Sequence, residues 1–286
     1  MSPKQSSPRG NAAKERADED HLRRQLALLK RCLALVYEHA RHLEQEATRE
    51  LHEMENATRL ATVGAFAYFV EMASSCYSLI AERHLSATYA VARAALTSIA
   101  DLQNLMQDGL YPLHMEAVRL KEWIRFLDNA LRYPSSMTKP MAEEFDLRAE
   151  HQKMTDLAAE TRSKGGRPLT DWQRLDRAGR LDEYRSVYWL WSLHAHASLG
   201  AIYGAHATAE GVFIFRPKDG ASAFFPEADA LCTMTIGVMY MVFPQLGIPT
   251  KEVDRLRKEL SGIRAAMGFR DDPPPVTHGH SAQTGG

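Results

Sequence analysis

The stretch from Tyr188 to His206 places residues that could do chemistry in an apolar setting. It reads YWLWSLHAHASLGAIYGAH and contains His194, His196 and His206 but no Asp, Glu, Lys or Arg. A histidine can bind a metal ion, transfer a proton or donate a hydrogen bond to an anion, because its pKa lies near neutrality. The spacing of the three rings decides which of these uses is open.

Helical geometry argues against a metal site. On an α-helix, His194 and His196 are separated by about 200° of rotation, so both rings cannot bind one metal ion from the same face. Apolar residues accompany both, with Trp191 in line with His194 and Trp189 in line with His196. A helix that is apolar all round belongs at the centre of a bundle. His196 is therefore predicted to be either a buried neutral ring or a catalytic acid or base, and no metal or cofactor is predicted.

Two arginines also lie in apolar helical contexts, Arg93 in YAVARAALTSIA and Arg119 in MEAVRLKEWIRFL. An arginine that cannot reach water needs an anion or several acceptors. One interpretation is a pocket for a phosphate-containing or carboxylate ligand, in which Arg93 and Arg119 hold the anion and His196 is an acid, base or donor. The other is snorkelling or an internal ion pair, with Glu71 or Asp101 as the partner.

A ribonuclease is the alternative from a different class. Many helical-bundle ribonucleases carry an arginine roughly four to six residues before a histidine, so that both side chains meet one phosphate. Here Arg185 precedes His194 by nine positions, and the short match from Arg16 to His21 borders a polar tail. A metal-independent ribonuclease of the helical defence type would need His196 to use an arginine from another helix.

Composition excludes several other classes. The 35 Lys and Arg residues nearly balance 36 Asp and Glu residues, so net charge does not indicate nucleic acid or an anionic membrane. Cys32, Cys76 and Cys232 form no CxxC pair, and the N-terminus lacks the apolar core of a signal peptide, so a cytoplasmic location is predicted. Segments 186–209 and 230–250 are long enough to span a membrane, but the negative mean hydropathy of the chain, −0.35, favours core helices and no membrane contact.

The two ends differ in composition from the rest of the chain. Residues 1–17 and 269–286 are rich in Ser, Pro, Gly and charge, and are predicted to be disordered tails around a single helical domain over 18–268. A long helix is predicted from about residue 19 to the mid-fifties, because apolar residues recur at alternating steps of three and four. It would either pack on its own chain or form a dimerising coiled coil. The residues that would join the homodimer are Leu22, Leu26, Leu29, Leu33 and Val36.

Periodicity, capping residues and breakers predict the remaining helices. They are expected over 59–83, 86–109, 112–132 and 140–162, around Trp172 with a start at Thr170 and Asp171, from Asp182 onward, and over 227–243 and 250–267. The stretch GVFIFRPKDGASAFFP breaks this period and predicts two short strands around an Asp219-Gly220 turn. The predicted fold is therefore all-α, a multi-helix bundle with one small β-hairpin insertion near 211–225.

Several short motifs resemble one known family. Downstream of Arg93, the pattern Tyr184, Tyr188, Trp191-Ser192 and His196-Ala197-Ser198 resembles the bacterial proteins grouped as domain-of-unknown-function family 5677, over roughly residues 59–243. Where that family carries a glutamate four residues after the arginine, this chain has Thr97. The resemblance implies a cytoplasmic helical bundle without an assigned activity, with some relatives in stress or phage-defence settings. The matching positions are Arg93, Tyr188, Ser192, His196 and Ser198.

The sequence thus favours a binding or regulatory protein with a polar cluster buried between helices, able to hold an anionic ligand. The alternatives are the ribonuclease, with His196 as its catalytic candidate, and a dimerising scaffold built on the N-terminal helix. Whether any bond is made or broken is left open. The ligand-binding candidates are Arg93, Arg119, Tyr188, Ser192, His196 and Ser198.

Overall fold

The computed structural model describes residues 8–39, 44–45, 57–136, 138–196 and 220–268. Within these ranges the chain is helical, and no strand occurs in them, so the all-α prediction is confirmed. The helices are α1 (Pro8–Glu38), α2 (Ala57–Ala81), α3 (Leu85–Gln107), α4 (Tyr111–Arg132), α5 (Lys139–Glu144), α6 (Leu147–Ser163), α7 (Asp171–Arg177), α8, α9 (Phe225–Val242) and α10 (Lys251–Ala266). The helix α8 consists of Leu181–Glu183, a π-helical turn over Tyr184–Tyr188, and Trp189–Ala195.

The predicted hairpin near 211–225 is not supported. Its second strand is wrong, because Ala221–Phe224 forms a 3₁₀ turn that leads directly into α9. Pro226 lies in the first turn of α9, where its missing N–H group costs nothing. The predicted first strand, before Gly220, lies outside the described residues.

The N-terminal helix is shifted relative to its prediction. It begins at Pro8, inside the segment predicted to be a disordered tail, and ends at Glu38 rather than in the mid-fifties. Its apolar stripe packs within the chain against α2, α9 and α10. Four stripe residues are buried and Leu26 is half-buried, so the surface proposed for a homodimer is already used in the fold. The buried residues of the stripe are Leu22, Leu29, Leu33 and Val36.

The centre of the bundle is α3, which contacts α2, α7, α8 and α9. The main core is formed by apolar side chains of these helices together with α1 and α10, and includes Phe66, Phe69 and Phe243. A smaller core, around Leu120 and Met154, joins α4 to α6. The predicted central position of α8, buried on all its faces, is wrong, since Trp189 on this helix is 61% exposed. Arg93 lies on α3, the helix at the centre of the bundle.

Two helical stretches are long and apolar enough to cross a membrane by composition, Ala57–Ala81 and Ala221–Leu246. In this fold both contribute side chains to the main core. Core helices of large bundles share the same composition, so this property does not by itself indicate a membrane.

The loop between α6 and α7 has a defined geometry. Gly165 has a φ of +96°, a left-handed conformation that glycine adopts without strain. At Gly166, a Cβ atom would lie 2.7 Å from the carbonyl oxygen of Leu113, so the close approach to α4 requires glycine. Thr170 then caps α7 in a reciprocal capping box with Gln173. The predicted helix start at Thr170 and Asp171 is confirmed, and the cap fixes the position of Asp171.

Candidate functional site

Arg93 is held by side chains from two other helices. Its Nε atom donates a hydrogen bond to Tyr188 Oη at 2.9 Å, and its Nη2 atom donates to Asp171 Oδ2 at 3.2 Å. The guanidinium carbon lies 5.0 Å from the centroid of the Tyr188 ring, within the range of a cation–π contact. Tyr188 also donates a short hydrogen bond to Asp171. The three side chains fix each other across α3, α7 and α8.

A second arginine extends the network. Arg174 Nη1 donates to Asp171 Oδ1 at 3.0 Å, and its Nε donates to Asp101 Oδ1 at 2.8 Å. A further short bond joins Arg174 Nη2 to Asp101 Oδ2, and Tyr111 donates to Asp101 Oδ1 at 2.7 Å. We name Arg93, Asp101, Asp171, Arg174 and Tyr188 the Arg93 cluster. It contains two cations and two anions.

The network keeps the charges of Arg93 and Asp171 in place. Burial acts to raise the pKa of Asp171, but hydrogen bonds from Tyr188 and Arg93 and the charge of Arg174 outweigh it, so that pKa lies below its usual value. Burial likewise opposes the charge of Arg93, yet the bonds to Tyr188 and Asp171 raise its pKa. Burial and the hydrogen bond to Asp171 raise the pKa of Tyr188 to about 12. At neutral pH, Tyr188 is therefore a neutral hydroxyl that accepts from Arg93 and donates to Asp171.

A cavity of about 290 Å³ lies beside this cluster. Arg93 lines it, and Arg93 Nη1 has no hydrogen-bond partner in the part of the chain that the structure describes. Thr97, also in the lining, directs its hydroxyl to the carbonyl oxygen of Arg93 at 2.9 Å. The family resemblance places a glutamate at position 97, four residues after the arginine. In this chain the carboxylate partner of Arg93 comes instead from α7, as Asp171. The other lining residues are Tyr68, Ala90, Ala94, Ser98, Asp101, Asp171 and Arg174.

Arg119 does not join Arg93. It lines a separate cavity of about 230 Å³, which shares only Asp101 and Arg174 with the first. Its guanidinium forms two hydrogen bonds to Glu116, at 2.7 and 2.6 Å, and is largely exposed. Arg93 and Arg119 therefore do not hold one anion together as predicted. Each is paired with a different carboxylate, Asp171 for Arg93 and Glu116 for Arg119.

Ser192 and His196 make no described hydrogen bond with Arg93. Ser192 donates to the carbonyl oxygen of Tyr188 at 2.7 Å, a bond within its own helix. The α-helix ends at Ala195, so His196 is an exposed C-cap residue rather than part of a central helix. Ser198 lies outside the described residues. No described contact joins His196 to an arginine, and the ribonuclease alternative gains no support from this part of the chain.

The ring that faces α3 belongs to His194. Its Nδ1 atom lies 3.3 Å from Ser86 Oγ, and its ring centroid lies 4.4 Å from that of Tyr89. The wide π-helical turn before Trp189 adds a residue to one turn, so it changes which side chains face α3 relative to a uniform α-helix. Burial lowers the pKa of His194, which favours the neutral ring.

Tyr89, which contacts His194, also binds a buried carboxyl group, Glu227, in the first turn of α9. Glu227 is only 5% exposed, and its side chain accepts a hydrogen bond from Tyr89. Its Oε2 atom has no partner among the described residues. Burial raises the pKa of Glu227, although the bonds from its own backbone N–H and from Tyr89 act against this shift.

Sequence reasoning missed Asp171 and Arg174 as site residues. Asp171 was predicted only to start a helix, and Arg174 was not singled out. One signal was present, because residues three apart on α7 lie on one face and can present a carboxylate and a guanidinium together. Within the described residues, no group of three His, Cys, Asp or Glu side chains could hold a metal ion.

Removing one hydroxyl tests the network. We expect Tyr188→Phe to lower the free energy of unfolding by about 1 kcal/mol at neutral pH, because two hydrogen bonds are lost while the ring remains. A depressed carboxyl pKa contributes stability above the unfolded-state pKa and loses it as the pH falls through the folded-state value. Tyr188→Phe raises the pKa of Asp171, so the stability deficit of the variant should shrink in acid to the part that comes from the lost bond to Arg93. Urea unfolding at several pH values measures this change.

The matched control for this measurement is Tyr184→Phe. The Tyr184 ring stacks on Tyr188 with centroids 5.0 Å apart, but its hydroxyl makes no hydrogen bond within the described residues. Tyr184→Phe should change stability little and with no pH dependence. Equal effects of both variants would contradict the network assigned to Tyr188.

Comparison with known proteins gives one match. A family model described as a family of unknown function (DUF5677) matches residues 59–212. No curated protein and no solved structure matches the chain. The matched range contains every member of the Arg93 cluster.

Proposed function

Because this chain belongs to the family of unknown function (DUF5677), we propose a function from the geometry of its polar cluster: it binds a small carboxylate or phosphate ligand beside Arg93. The ligand lies in the cavity of about 290 Å³ between α3 and α7. Arg93 is the group that holds the anion, and Asp171 and Tyr188 orient it.

One observation carries this proposal. Two of the three guanidinium nitrogens of Arg93 are tied to Tyr188 and Asp171, whereas Nη1 has no partner among the described residues and the side chain lines the cavity. An arginine held in this way loses little conformational entropy when it binds an anion. A planar guanidinium edge also matches the geometry of a carboxylate or a phosphate group.

Size and charge limit the ligand. A volume of about 290 Å³ lies at the lower end of ligand pockets, about 300–1,000 Å³. Asp101 and Asp171 already neutralise the charges of Arg174 and Arg93 in part, so a single anionic group is favoured over a polyanion. The ligand would contact both α3 and α7, and its binding would therefore stabilise the packing of these helices, consistent with a regulatory role.

Thermal unfolding with a defined panel tests the proposal. We expect acetate, succinate, inorganic phosphate or AMP at millimolar concentration to raise the melting temperature, because a ligand that binds the folded state stabilises it by mass action. Isothermal titration would then give the affinity. Arg93→Lys keeps the charge but loses the fork, and should weaken binding at least about tenfold.

The control is Arg119→Lys, which changes an exposed arginine paired with Glu116 and should leave affinity unchanged. If no member of the panel shifts the melting temperature, or if Arg93→Lys binds as tightly as the unaltered chain, the proposal is wrong. Circular dichroism of each variant shows whether it is folded.

A cytoplasmic location is part of this proposal through the cysteine usage and the family resemblance, and a setting in stress or phage defence through the resemblance alone. The ribonuclease alternative would predict cleavage of RNA that persists in chelator and is lost in His196→Ala.

Sedimentation of the full chain tests self-association, for which the buried stripe of α1 leaves little surface.

A further inference from the structure

A wide cleft on another part of the molecule is lined by basic side chains. It has a volume of about 640 Å³ and lies where α4, α7 and the loop after α6 meet. Every charged residue in its lining is an arginine, and His114 is the remaining titratable group. Its lining consists of His114, Arg162, Gly165, Arg167, Pro168 and Arg177. We name these residues the basic cleft.

The positive charge of the basic cleft is only partly neutralised. Arg177 pairs with Asp108 at 2.6 Å, and Lys164, in the same loop, pairs with Glu160 at 2.7 Å. Arg162 and Arg167 have no ion pair with any residue that the structure describes. A neighbouring cavity of about 190 Å³ shares Arg162 and adds Lys121, which is likewise without a described ion pair. The cleft therefore has unpaired cationic groups.

The cleft is also preorganised by its backbone. The N–H group of Arg167 donates to His114 Nδ1 at 3.0 Å, which fixes the loop against α4. Nδ1 also lies 3.1 Å from the carbonyl oxygen of Arg167, so the ring is held against the loop in either tautomer. In the tautomer whose Nδ1 accepts from the Arg167 N–H group, the ring hydrogen is on Nε2. His114 is only 8% exposed, yet it lines the cleft, and its Nε2 atom has no acceptor among the described residues. The close approach of Gly166 to α4 holds the same loop.

We propose that the basic cleft binds a small molecule carrying two or more phosphate groups. Arg162 and Arg167 hold the phosphates through charge-assisted hydrogen bonds, and His114 donates to a phosphate oxygen from Nε2. Arg177 is drawn partly away by Asp108 and adds a weaker contact. The large volume and the several cations distinguish this ligand from the single small anion assigned to the Arg93 cluster, and the two assignments do not depend on each other.

Calorimetric titration of the full chain with pyrophosphate and with ATP tests this assignment. We expect binding of at least one of these probes, weakened at least about tenfold by Arg162→Gln and by Arg167→Gln, because each removes charge-assisted bonds. The control is Arg125→Gln, which alters an exposed arginine of α4, the helix that carries His114, and should bind as the unaltered chain does.

A second variant separates ligand contact from loop packing. In His114→Asn the amide oxygen can still accept from the Arg167 N–H group, but the Nε2 donor is lost. We expect an unchanged melting temperature and weaker pyrophosphate binding. Absence of binding by both probes, or binding that Arg162→Gln and Arg167→Gln leave intact, overturns the proposal. Tighter binding of single-stranded RNA than of ATP would also overturn it, because the cleft would then serve a polynucleotide.

Discussion

Replacing Asp101 by alanine should lower the free energy of unfolding by about 3–5 kcal/mol, the cost of leaving a buried charge without its partner. The Asp101 side chain is only 8% exposed and receives two hydrogen bonds from Arg174 and one from Tyr111. In the variant, Arg174 keeps its bond to Asp171 but loses both contacts to Asp101. Chemical denaturation, with the midpoint and the slope both recorded, measures the effect.

The matched control for Asp101→Ala is Glu116→Ala. Glu116 also forms a two-pronged pair with an arginine, Arg119, but that pair is solvent-exposed and lies within one helix. Exposed pairs contribute about 0–1 kcal/mol, so Glu116→Ala should change stability little. A similar loss in both variants would show that the Asp101–Arg174 pair is not the buried anchor assigned to it.

A double variant sharpens this test. Asp101→Leu combined with Arg174→Met removes both charges of the buried pair, and such replacements are often neutral or stabilising. The double variant should therefore recover most of the stability lost in Asp101→Ala, apart from the bond that Arg174 makes to Asp171. No recovery would contradict an electrostatic origin of the loss.

The second large effect is expected to be a gain. Replacing Glu227 by glutamine should raise the free energy of unfolding at pH 7.5 by about 2 kcal/mol, because a buried carboxylate with an unpaired oxygen is costly. Glu227 Oε2 is without a partner in the described part of the chain, and burial raises the pKa of this carboxyl. The amide keeps an oxygen that can accept from Tyr89.

The pH dependence of this gain has a definite sign. A carboxyl whose folded-state pKa is raised supports stability below the unfolded-state pKa, and that support is lost as the pH rises through the folded-state value. Glu227→Gln should therefore match the unaltered chain near pH 4 and exceed it at neutral pH. The control is Glu252→Gln, an exposed glutamate in the first turn of α10, which should show no such gain. A loss of stability in Glu227→Gln at neutral pH would contradict the assignment.

The helices could be predicted well where local signals determine them. Pro112 in the first turn of α4 and the capping box at Thr170 mark starts that the structure confirms. The second hairpin strand was wrong because a short apolar run, here around Phe224, has no period of its own and the following helix determined its conformation. The end of α1 was misplaced because helical periodicity does not show where the chain turns.

The candidate site could be predicted only in part, because it depends on contacts between helices. Arg93 was identified from its charge in an apolar stretch and Tyr188 from the family resemblance, and they do meet, at 2.9 Å. Asp171 is 78 positions from Arg93 in sequence, and no local pattern reports that pairing. His196 was favoured on the assumption of a uniform helix, which the π-helical turn over Tyr184–Tyr188 invalidates.

The equal numbers of cations and anions in the Arg93 cluster affect how fast a ligand can reach it. A neutral cluster exerts little attraction beyond its own contacts, so association there should proceed at the rate of unsteered diffusion and change little with ionic strength. The excess positive charge of the basic cleft attracts anions over distances of about the Debye length, about 8 Å at physiological salt. Encounter with the basic cleft is therefore accelerated at low salt, whereas encounter with the Arg93 cluster is governed by fit.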